Sequence, residues 1–129
     1  GSPTETPAQT MSVETNALNG YTLNVQGATL TSGPNTIAAI TGTPQAPNPG
    51  SEQFGLRGTV SGGSGTVSAP YNTANYIYEG TSVATSTVAG ATGPSAPSTF
   101  TLYYLANISA SVVLGDYTTM LTSTVVANF

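Results

Sequence analysis

Histidine, cysteine, lysine and tryptophan are absent from this chain of 129 residues, and Arg57 is its only basic residue. Acidic residues number five. Serine nucleophiles need a histidine or lysine base, and most transition-metal sites are built from histidine and cysteine. These absences predict that the protein is not an enzyme, has no catalytic residues, and holds no cofactor and no metal ion.

The acidic residues are spread singly along the chain. They are Glu5, Glu14, Glu52, Glu79 and Asp116. A carboxylate pair for glycoside hydrolysis must converge within about 10 Å, and a calcium loop draws several oxygen ligands from one short segment. The scatter predicts solvated loop carboxylates instead. A secreted hydrolase would require Glu52 or Glu79 to meet a second carboxylate in a closed pocket.

The net charge of −4 at neutral pH excludes nucleic acid as an expected partner, because binding to phosphates requires clustered Lys and Arg. No apolar run approaches the roughly 18 residues of a membrane-spanning helix, so we expect no membrane insertion. With nucleic acid and membrane insertion set aside, the partners to expect are copies of the chain itself and glycans.

Residues 1–10 differ in composition from the rest of the chain. They hold two prolines and no large apolar side chain, which is typical of a linker or mobile arm. Such an arm can also dock onto a neighbouring molecule. We predict an N-terminal arm over residues 1–10 and a single domain over residues 11–129.

Short runs of alternating apolar and polar residues, separated by Gly and Pro, begin at residue 11. The runs 11–15 and 21–25 flank an Asn-Gly turn signal, which predicts a hairpin or strand pair. A strand over 54–60 is followed by a Gly-rich turn and by 66–68, its predicted hairpin partner. We expect residues 89–98 to form a flexible connection.

The last third of the chain shows the clearest alternation, over residues 100–108 and again over 117–129. Tyr117 begins the second run and is similar to the tyrosine corner of immunoglobulin-like sandwiches, whose hydroxyl bonds to nearby backbone; an ordinary core tyrosine is the alternative. No segment shows a sustained 3.6-residue period. We predict an all-β fold, an immunoglobulin-like or jelly-roll β-sandwich of about 7–10 short antiparallel strands.

Five side chains are candidates for recognition or modification. Arg57 is expected to pair with an acidic residue or to lie across a tyrosine ring. Tyr71, Tyr76 and Tyr78 offer apolar faces and hydroxyls to a glycan or protein partner, with core packing as the alternative. Asn107 opens an Asn-Ile-Ser triplet, an N-glycosylation acceptor, and strand alternation places it toward solvent.

Strand edges in this chain lack the charged guards that normally prevent pairing between molecules. The run 117–129 carries no Asp, Glu, Lys or Arg, and low charge also reduces repulsion between stacked copies. Both features favour a subunit that pairs its strands with copies of itself. The predicted assembly interface consists of Met11, Val13, Thr15, Leu121, Val125 and Phe129.

Two segments resemble a known group of proteins. Residues 98–103 (Ser-Thr-Phe-Thr-Leu-Tyr) and 115–125 (Gly-Asp-Tyr-Thr-Thr-Met-Leu-Thr-Ser-Thr-Val) are similar to the closing strands of the spore-coat-U and archaic chaperone-usher pilin group. Residues 13–23 look like the openings of secreted bacterial surface β-sandwiches more broadly. The resemblance implies an immunoglobulin-like sandwich completed by a strand from another subunit, supplied by an N-terminal arm. The cysteine pair of many chaperone-usher pilins is absent here.

The sequence therefore predicts a structural subunit of an extracellular filament, pilus or surface layer, which self-assembles through β-strand pairing or donation. The alternative is a glycan-binding or adhesive module of a secreted surface protein. In either case we expect the protein outside the cell or on its surface.

Overall fold

The computed structural model describes residues 6–129, with side chains from residue 9 onward. This range contains nine β-strands, which confirms the predicted all-β class. The strands are β1 (Thr6–Thr15), β2 (Tyr21–Gln26), β3 (Thr31–Ser32), β4 (Asn35–Thr36), β5 (Gln53–Ser61), β6 (Thr66–Val67), β7 (Ser86–Ala91), β8 (Ser95–Asn107) and β9 (Thr122–Ala127). No helix within residues 6–129 has the length and apolar character needed to cross a membrane.

Two antiparallel sheets form the body of a β-sandwich. Sheet A has the strand order β1-β8-β5, and sheet B has the order β6-β7-β2-β9. The short strands β3 and β4 form a separate hairpin. Buried side chains from β2, β5, β7 and β8 belong to a single apolar cluster, so the main core lies between sheets A and B.

Alternation along the strands explains how the core forms. In β2, Tyr21, Leu23 and Val25 are buried while the residues between them are partly exposed. The Tyr21 ring meets the Phe100 ring of sheet A edge to face, with ring centroids 6.3 Å apart. Each fully buried side chain of this size contributes about 1.5–3 kcal/mol of hydrophobic free energy, so the two sheets are held together by one interleaved apolar layer.

The two lateral sides of the sandwich differ in how they are closed. On one side the chain passes from β5 in sheet A to β6 in sheet B, and the free edge of β5 is occupied by loop backbone. There the Leu56 N–H donates to the Ile77 carbonyl at 2.9 Å, and the Phe54 N–H donates to the Ala38 carbonyl at 2.9 Å. On the other side lie β1 and β9, each pairing with one strand only among the described residues.

The predicted hairpin between residues 11–15 and 21–25 is wrong. β1 pairs with β8 in sheet A, whereas β2 pairs with β7 and β9 in sheet B. The turn between them contains Gly20 at φ 74° and carries the chain from one sheet to the other. Each strand has one apolar face, and facing sheets let both strands bury that face in the same core.

Two further connections also differ from the sequence prediction. Residues 66–68 do not pair with β5, because β6 pairs with β7 instead. Residues 89–98 are not a flexible connection, since they include the end of β7 and the start of β8. β7 belongs to sheet B and β8 to sheet A, so this short connection carries the chain from one sheet to the other. Small Ala, Gly and Ser side chains conceal these strand ends in the sequence, because strand propensity is carried mainly by β-branched and aromatic residues.

The predicted arm over residues 1–10 also needs correction. β1 begins at Thr6, and its register places Thr6 opposite Tyr104 and Pro7 opposite Tyr103. Pro7 is tolerated because edge strands need only one hydrogen-bonding side. The first five residues of the predicted arm lie outside the described residues.

Candidate assembly edge

The terminal strands β1 and β9 are edge strands of sheets A and B, and contacts near both of their ends place them on the same side of the sandwich. Near their starts, Gln9 of β1 and Leu121, the residue before β9, line the same groove. Past their ends, the Asn19 N–H donates to the Asn128 carbonyl at 3.1 Å, and the Asn128 N–H donates to the Gly20 carbonyl at 2.9 Å. The two open edges of the sandwich therefore border one seam, which we call the terminal seam.

The groove at the start of the terminal seam has a volume of about 570 Å³. Its walls come from β1, β5, β8 and the segments around Leu30 and Leu121, and they are mainly apolar. Tyr104 forms part of the wall, and burial raises the pKa of its hydroxyl. At neutral pH the groove is thus an uncharged, largely apolar depression at one end of the seam.

The inner face of sheet B is buried up to β2 and then opens at β9. Leu23 and Val25 are fully buried, and the residues opposite them on β9 are Val125 and Ser123. Directly opposite residues project from the same face of an antiparallel sheet. Val125 is nevertheless 46% exposed. Sheet A has one strand fewer than sheet B, and its edge strand β1 does not cover β9.

The structure brings the six predicted interface residues to this seam. Met11 and Val13 lie opposite Phe100 and Ser98 of the core face, and both pack against the main cluster. Thr15 ends β1, where its Oγ1 accepts a hydrogen bond from the Ala17 N–H at 3.1 Å.

The predicted interface residues on the C-terminal side of the seam are more exposed than those on β1. Leu121 is partly buried against the core, whereas Val125 and Phe129 are exposed. None of the residues 117–129 carries an acidic or basic side chain. The seam thus presents apolar surface beside two strand edges that are unpaired within the described residues.

The three tyrosines predicted to form a recognition platform are buried instead. Tyr71 and Tyr78 are inaccessible to solvent, and Tyr76 packs with Ile40 and Leu105 in a small second cluster. Two of their hydroxyls make hydrogen bonds inside the protein. Tyr71 Oη lies 2.6 Å from Ser86 Oγ, and the Tyr78 hydroxyl donates to the Gly27 carbonyl at 2.7 Å. The core-packing alternative is therefore confirmed for these three rings, and the surface platform is wrong.

Burial raises the pKa of two of these hydroxyls, those of Tyr71 and Tyr78. It raises the pKa of Tyr78 to about 12, with smaller contributions from Tyr71 and Tyr104. Burial also raises the pKa of Tyr71, partly opposed by its hydrogen bonds to Ser86 and Glu79. Both groups stay protonated at neutral pH and act as internal hydrogen-bonding groups of the core.

The solvent-facing orientation predicted for Asn107 is also wrong. Asn107 is fully buried, and its Nδ2 donates to Gln53 Oε1 at 3.0 Å. Ile108 beside it is half exposed. Leu105 and Asn107 project from the outer face of sheet A, but other parts of the chain cover that face near the end of β8. Alternation along the strand therefore does not separate buried from exposed residues there. In the folded protein the Asn107 amide is inaccessible to a glycosylating enzyme.

Tyr117 and Arg57 make the contacts expected of their residue types. The Tyr117 hydroxyl donates to the Val113 carbonyl at 2.9 Å, a tie to upstream backbone of the kind that defines a tyrosine corner. The guanidinium carbon of Arg57 lies 4.4 Å from the centroid of the Tyr103 ring. Arg57 and Tyr103 are direct cross-strand partners on the outer face of sheet A.

The outer face of sheet A also carries two rows of hydroxyls that the sequence analysis missed. The rows are Thr10–Thr101–Thr59 and Ser12–Thr99–Ser61. Neighbouring strands lie about 4.8 Å apart and alternate residues roughly 7 Å apart. A Thr-x-Thr or Thr-x-Ser triplet in each of β1, β5 and β8 was the available signal, but only the strand register aligns the three triplets.

Two of the carboxylates, those of Glu52 and Glu79, make hydrogen bonds within the described range. Glu79 Oε1 accepts a hydrogen bond from the Gly42 N–H at 2.7 Å, and Glu52 Oε1 accepts one from Ser109 Oγ at 3.3 Å. No group of three or more His, Cys, Asp or Glu side chains is close enough to hold a metal ion among residues 9–129. These two carboxylates tie loops to the sandwich.

Comparison of the chain with models of known protein families, with curated proteins and with solved structures finds no match in any of the three. The fold and the terminal seam are therefore the basis on which a function is proposed.

Proposed function

We propose that this protein is a structural subunit of an extracellular filament, pilus or surface layer, and that copies associate through β-strand pairing at the terminal seam. The observation that carries the proposal is the uncovered inner face of β9, where Val125 is exposed beside fully buried Leu23. Apolar side chains on an unpaired strand edge form a template for another strand.

Two physical terms favour association at this seam. An added strand hydrogen-bonds to the unpaired backbone of the edge, and it covers the apolar side chains beside that edge. Covering apolar surface contributes about 25 cal/mol per Å². The opposing electrostatic term is small, because the whole chain carries six charged residues and none of the residues 117–129 is acidic or basic.

The test is the mass of the purified chain as a function of concentration. Light scattering should show growth beyond the monomer, and negative-stain electron microscopy of the concentrated sample should show filaments or sheets. A chain that remains monomeric at the highest soluble concentration, and shows no ordered particles, would contradict the proposal.

A second candidate function is adhesion to glycans through the outer face of sheet A. The six hydroxyls of the two rows make no hydrogen bond to other groups within the described part of the chain. Beside them lie the Tyr103 ring and Arg57. Aligned hydroxyls next to an aromatic ring suit the mixed polar and apolar faces of a sugar chain.

A glycan array separates this candidate from the assembly role. Thr101→Ala, at the centre of one row, should lower binding severalfold, whereas Thr124→Ala on β9 should leave it unchanged. Absence of binding by the unmodified protein would remove the glycan candidate and would leave the assembly proposal in place.

A further inference from the structure

We infer that β9 pairs with β9 of a second copy, antiparallel and about a twofold axis at Val125, which joins the two B sheets into one continuous sheet. This inference rests on the proposed function, because it specifies which strand of the terminal seam makes the contact and in what register.

The two edges of the seam are not equally suited to pairing. β1 contains Pro7, which has no N–H to donate, and its register with β8 shifts between Pro7 and Gln9 and again between Val13 and Thr15. It also carries the charge of Glu14. Proline, bulges and charges are the usual means of blocking an edge. β9 has none of the three, and its register with β2 runs without a shift.

The backbone of β9 is oriented for such a contact. Asn128 exchanges its hydrogen bonds with Asn19 and Gly20, on the β2 side. Hydrogen-bonding direction alternates along an antiparallel strand, so residues 122, 124 and 126 also face β2. The N–H and carbonyl groups of Ser123, Val125 and Ala127 consequently point away from the sheet, and nothing among residues 6–129 pairs with them.

A twofold axis at Val125 gives a self-complementary register. Val125 meets Val125 of the second copy, Ser123 meets Ala127, and Leu121 meets Phe129. All of these are odd-numbered residues and project from the inner face, by the alternation of side chains along a strand. The three central pairs exchange about six main-chain hydrogen bonds. Moving the axis to Thr124 would place Val125 opposite Ser123 and leave Phe129 without an apolar partner.

Electrostatics and geometry both support a second copy of this chain as the occupant. A twofold contact places identical segments opposite each other, and any charge in the segment would meet its own like charge. The segment 117–129 has no acidic or basic side chain to create that repulsion. A twofold contact closes on itself, so growth beyond a dimer uses a second contact elsewhere on the subunit.

Single-cysteine crosslinking tests the register directly, because the natural chain contains no cysteine. Val125→Cys, Ser123→Cys and Ala127→Cys would each be treated with a thiol-specific linker short enough to join only directly opposite residues. Val125→Cys alone should give roughly tenfold more covalent dimer than either other variant alone, because their thiols lie about 13 Å apart along the strand. Mixing Ser123→Cys with Ala127→Cys should restore crosslinking.

The other outcomes of the crosslinking experiment show whether the inference fails alone or together with the proposed function. If each of the three variants crosslinks on its own, the strands pair in parallel, and the inference is overturned. Crosslinking of Val125→Cys only when it is mixed with Ser123→Cys would also overturn the inference. Absence of crosslinks in samples that light scattering shows to be assembled would overturn the inference and leave the proposed function intact. Absence of assembly in the unmodified protein would overturn both. Circular dichroism confirms that each variant is folded.

Discussion

Leu23 and Val125 lie directly opposite each other on β2 and β9, on the same face of sheet B, yet Leu23 is fully buried and Val125 is 46% exposed. The difference arises because sheet A ends at β1 and covers β2 but not β9. This pair marks the boundary between the closed core of the sandwich and the terminal seam. It also separates the substitutions that should affect folding from those that should affect association.

Val125→Lys should abolish the contact between β9 strands while the protein stays folded. A charge placed at the proposed axis meets an identical charge and loses hydration if the strands pair. The matched control is Val83→Lys, because Val83 is 88% exposed and lies in the loop before β7, outside both terminal strands. Sedimentation velocity should show much smaller assemblies for Val125→Lys than for the unmodified protein, and unchanged association for Val83→Lys. Equal behaviour of the two variants would argue against the terminal seam.

Leu23→Ala should destabilise the protein by about 2–5 kcal/mol, because it removes a fully buried side chain and leaves a cavity between the sheets. Leu18→Ala is the control, since Leu18 is 80% exposed in the turn after β1, and it should change stability by less than about 0.5 kcal/mol. Urea unfolding followed by circular dichroism measures both. Similar midpoints for the two variants would contradict the placement of the core.

Gly20 and Gly42 have nearly the same backbone conformation, with φ of 74° and 75°, but different surroundings. A Cβ on Gly20 would overlap the Ala91 carbonyl, whereas a Cβ on Gly42 meets nothing within 4 Å. Gly42→Ala should therefore cost only the conformational strain, about 1 kcal/mol. Gly20→Ala should lower the free energy of unfolding by about 3 kcal/mol or more, since the backbone at Ala91 must also move, which adds to the conformational strain.

Urea unfolding of the two glycine variants measures the difference. A larger loss for Gly42→Ala than for Gly20→Ala would mean that the turn from β1 to β2 does not pass close to β7 in the way described.

Alkaline pH should destabilise the protein through its buried tyrosines. The folded pKa of Tyr78 is about 12, and the unfolded pKa is near 10. The neutral hydroxyl is therefore favoured in the folded state, so its contribution is fully present below pH 10 and is lost as the pH rises from about 10 through about 12. The loss is on the order of 2 kcal/mol.

The chain lacks lysine and cysteine, so tyrosines are the only side chains whose ordinary pKa is near 10. Tyrosinate absorbance and circular dichroism, recorded together, should show part of the ionisation coinciding with unfolding. Tyr78→Phe should weaken this pH dependence, and should cost about 1–3 kcal/mol at neutral pH because the Gly27 carbonyl loses its donor. An unchanged alkaline transition in Tyr78→Phe would contradict the assignment.

The sequence predicts the strands better than it predicts their partners. Alternation along 21–26 depends only on which residues face the core, and the structure follows it residue by residue. Pairing depends on distant chain: the partner of Met11 is Phe100, and the partner of Leu23 on β9 is Val125. A local turn signal therefore suggested a hairpin where the chain in fact crosses between sheets.

The same limit explains the outcome for the candidate sites. The C-terminal run 117–129 has no acidic or basic side chain, which is visible in the sequence, and this run lies along the terminal seam. Asn107 and the tyrosines 71, 76 and 78 were misassigned because their cover comes from elsewhere in the chain. Gln53 bonds to Asn107, and the Gly27 carbonyl accepts the hydroxyl of Tyr78. The hydroxyl rows of sheet A likewise need the register of three strands.

Amide hydrogen exchange in β9, read residue by residue as a function of protein concentration, tests the central claim most directly. Assembled samples are exchanged in deuterated buffer, then dissolved in an aprotic solvent and read by NMR. In dilute protein the amides of Thr124 and Val126 should be protected, and those of Ser123, Val125 and Ala127 should exchange rapidly. Protection of these three amides should appear as assembly proceeds. Assembly that leaves them in rapid exchange would contradict strand pairing at β9.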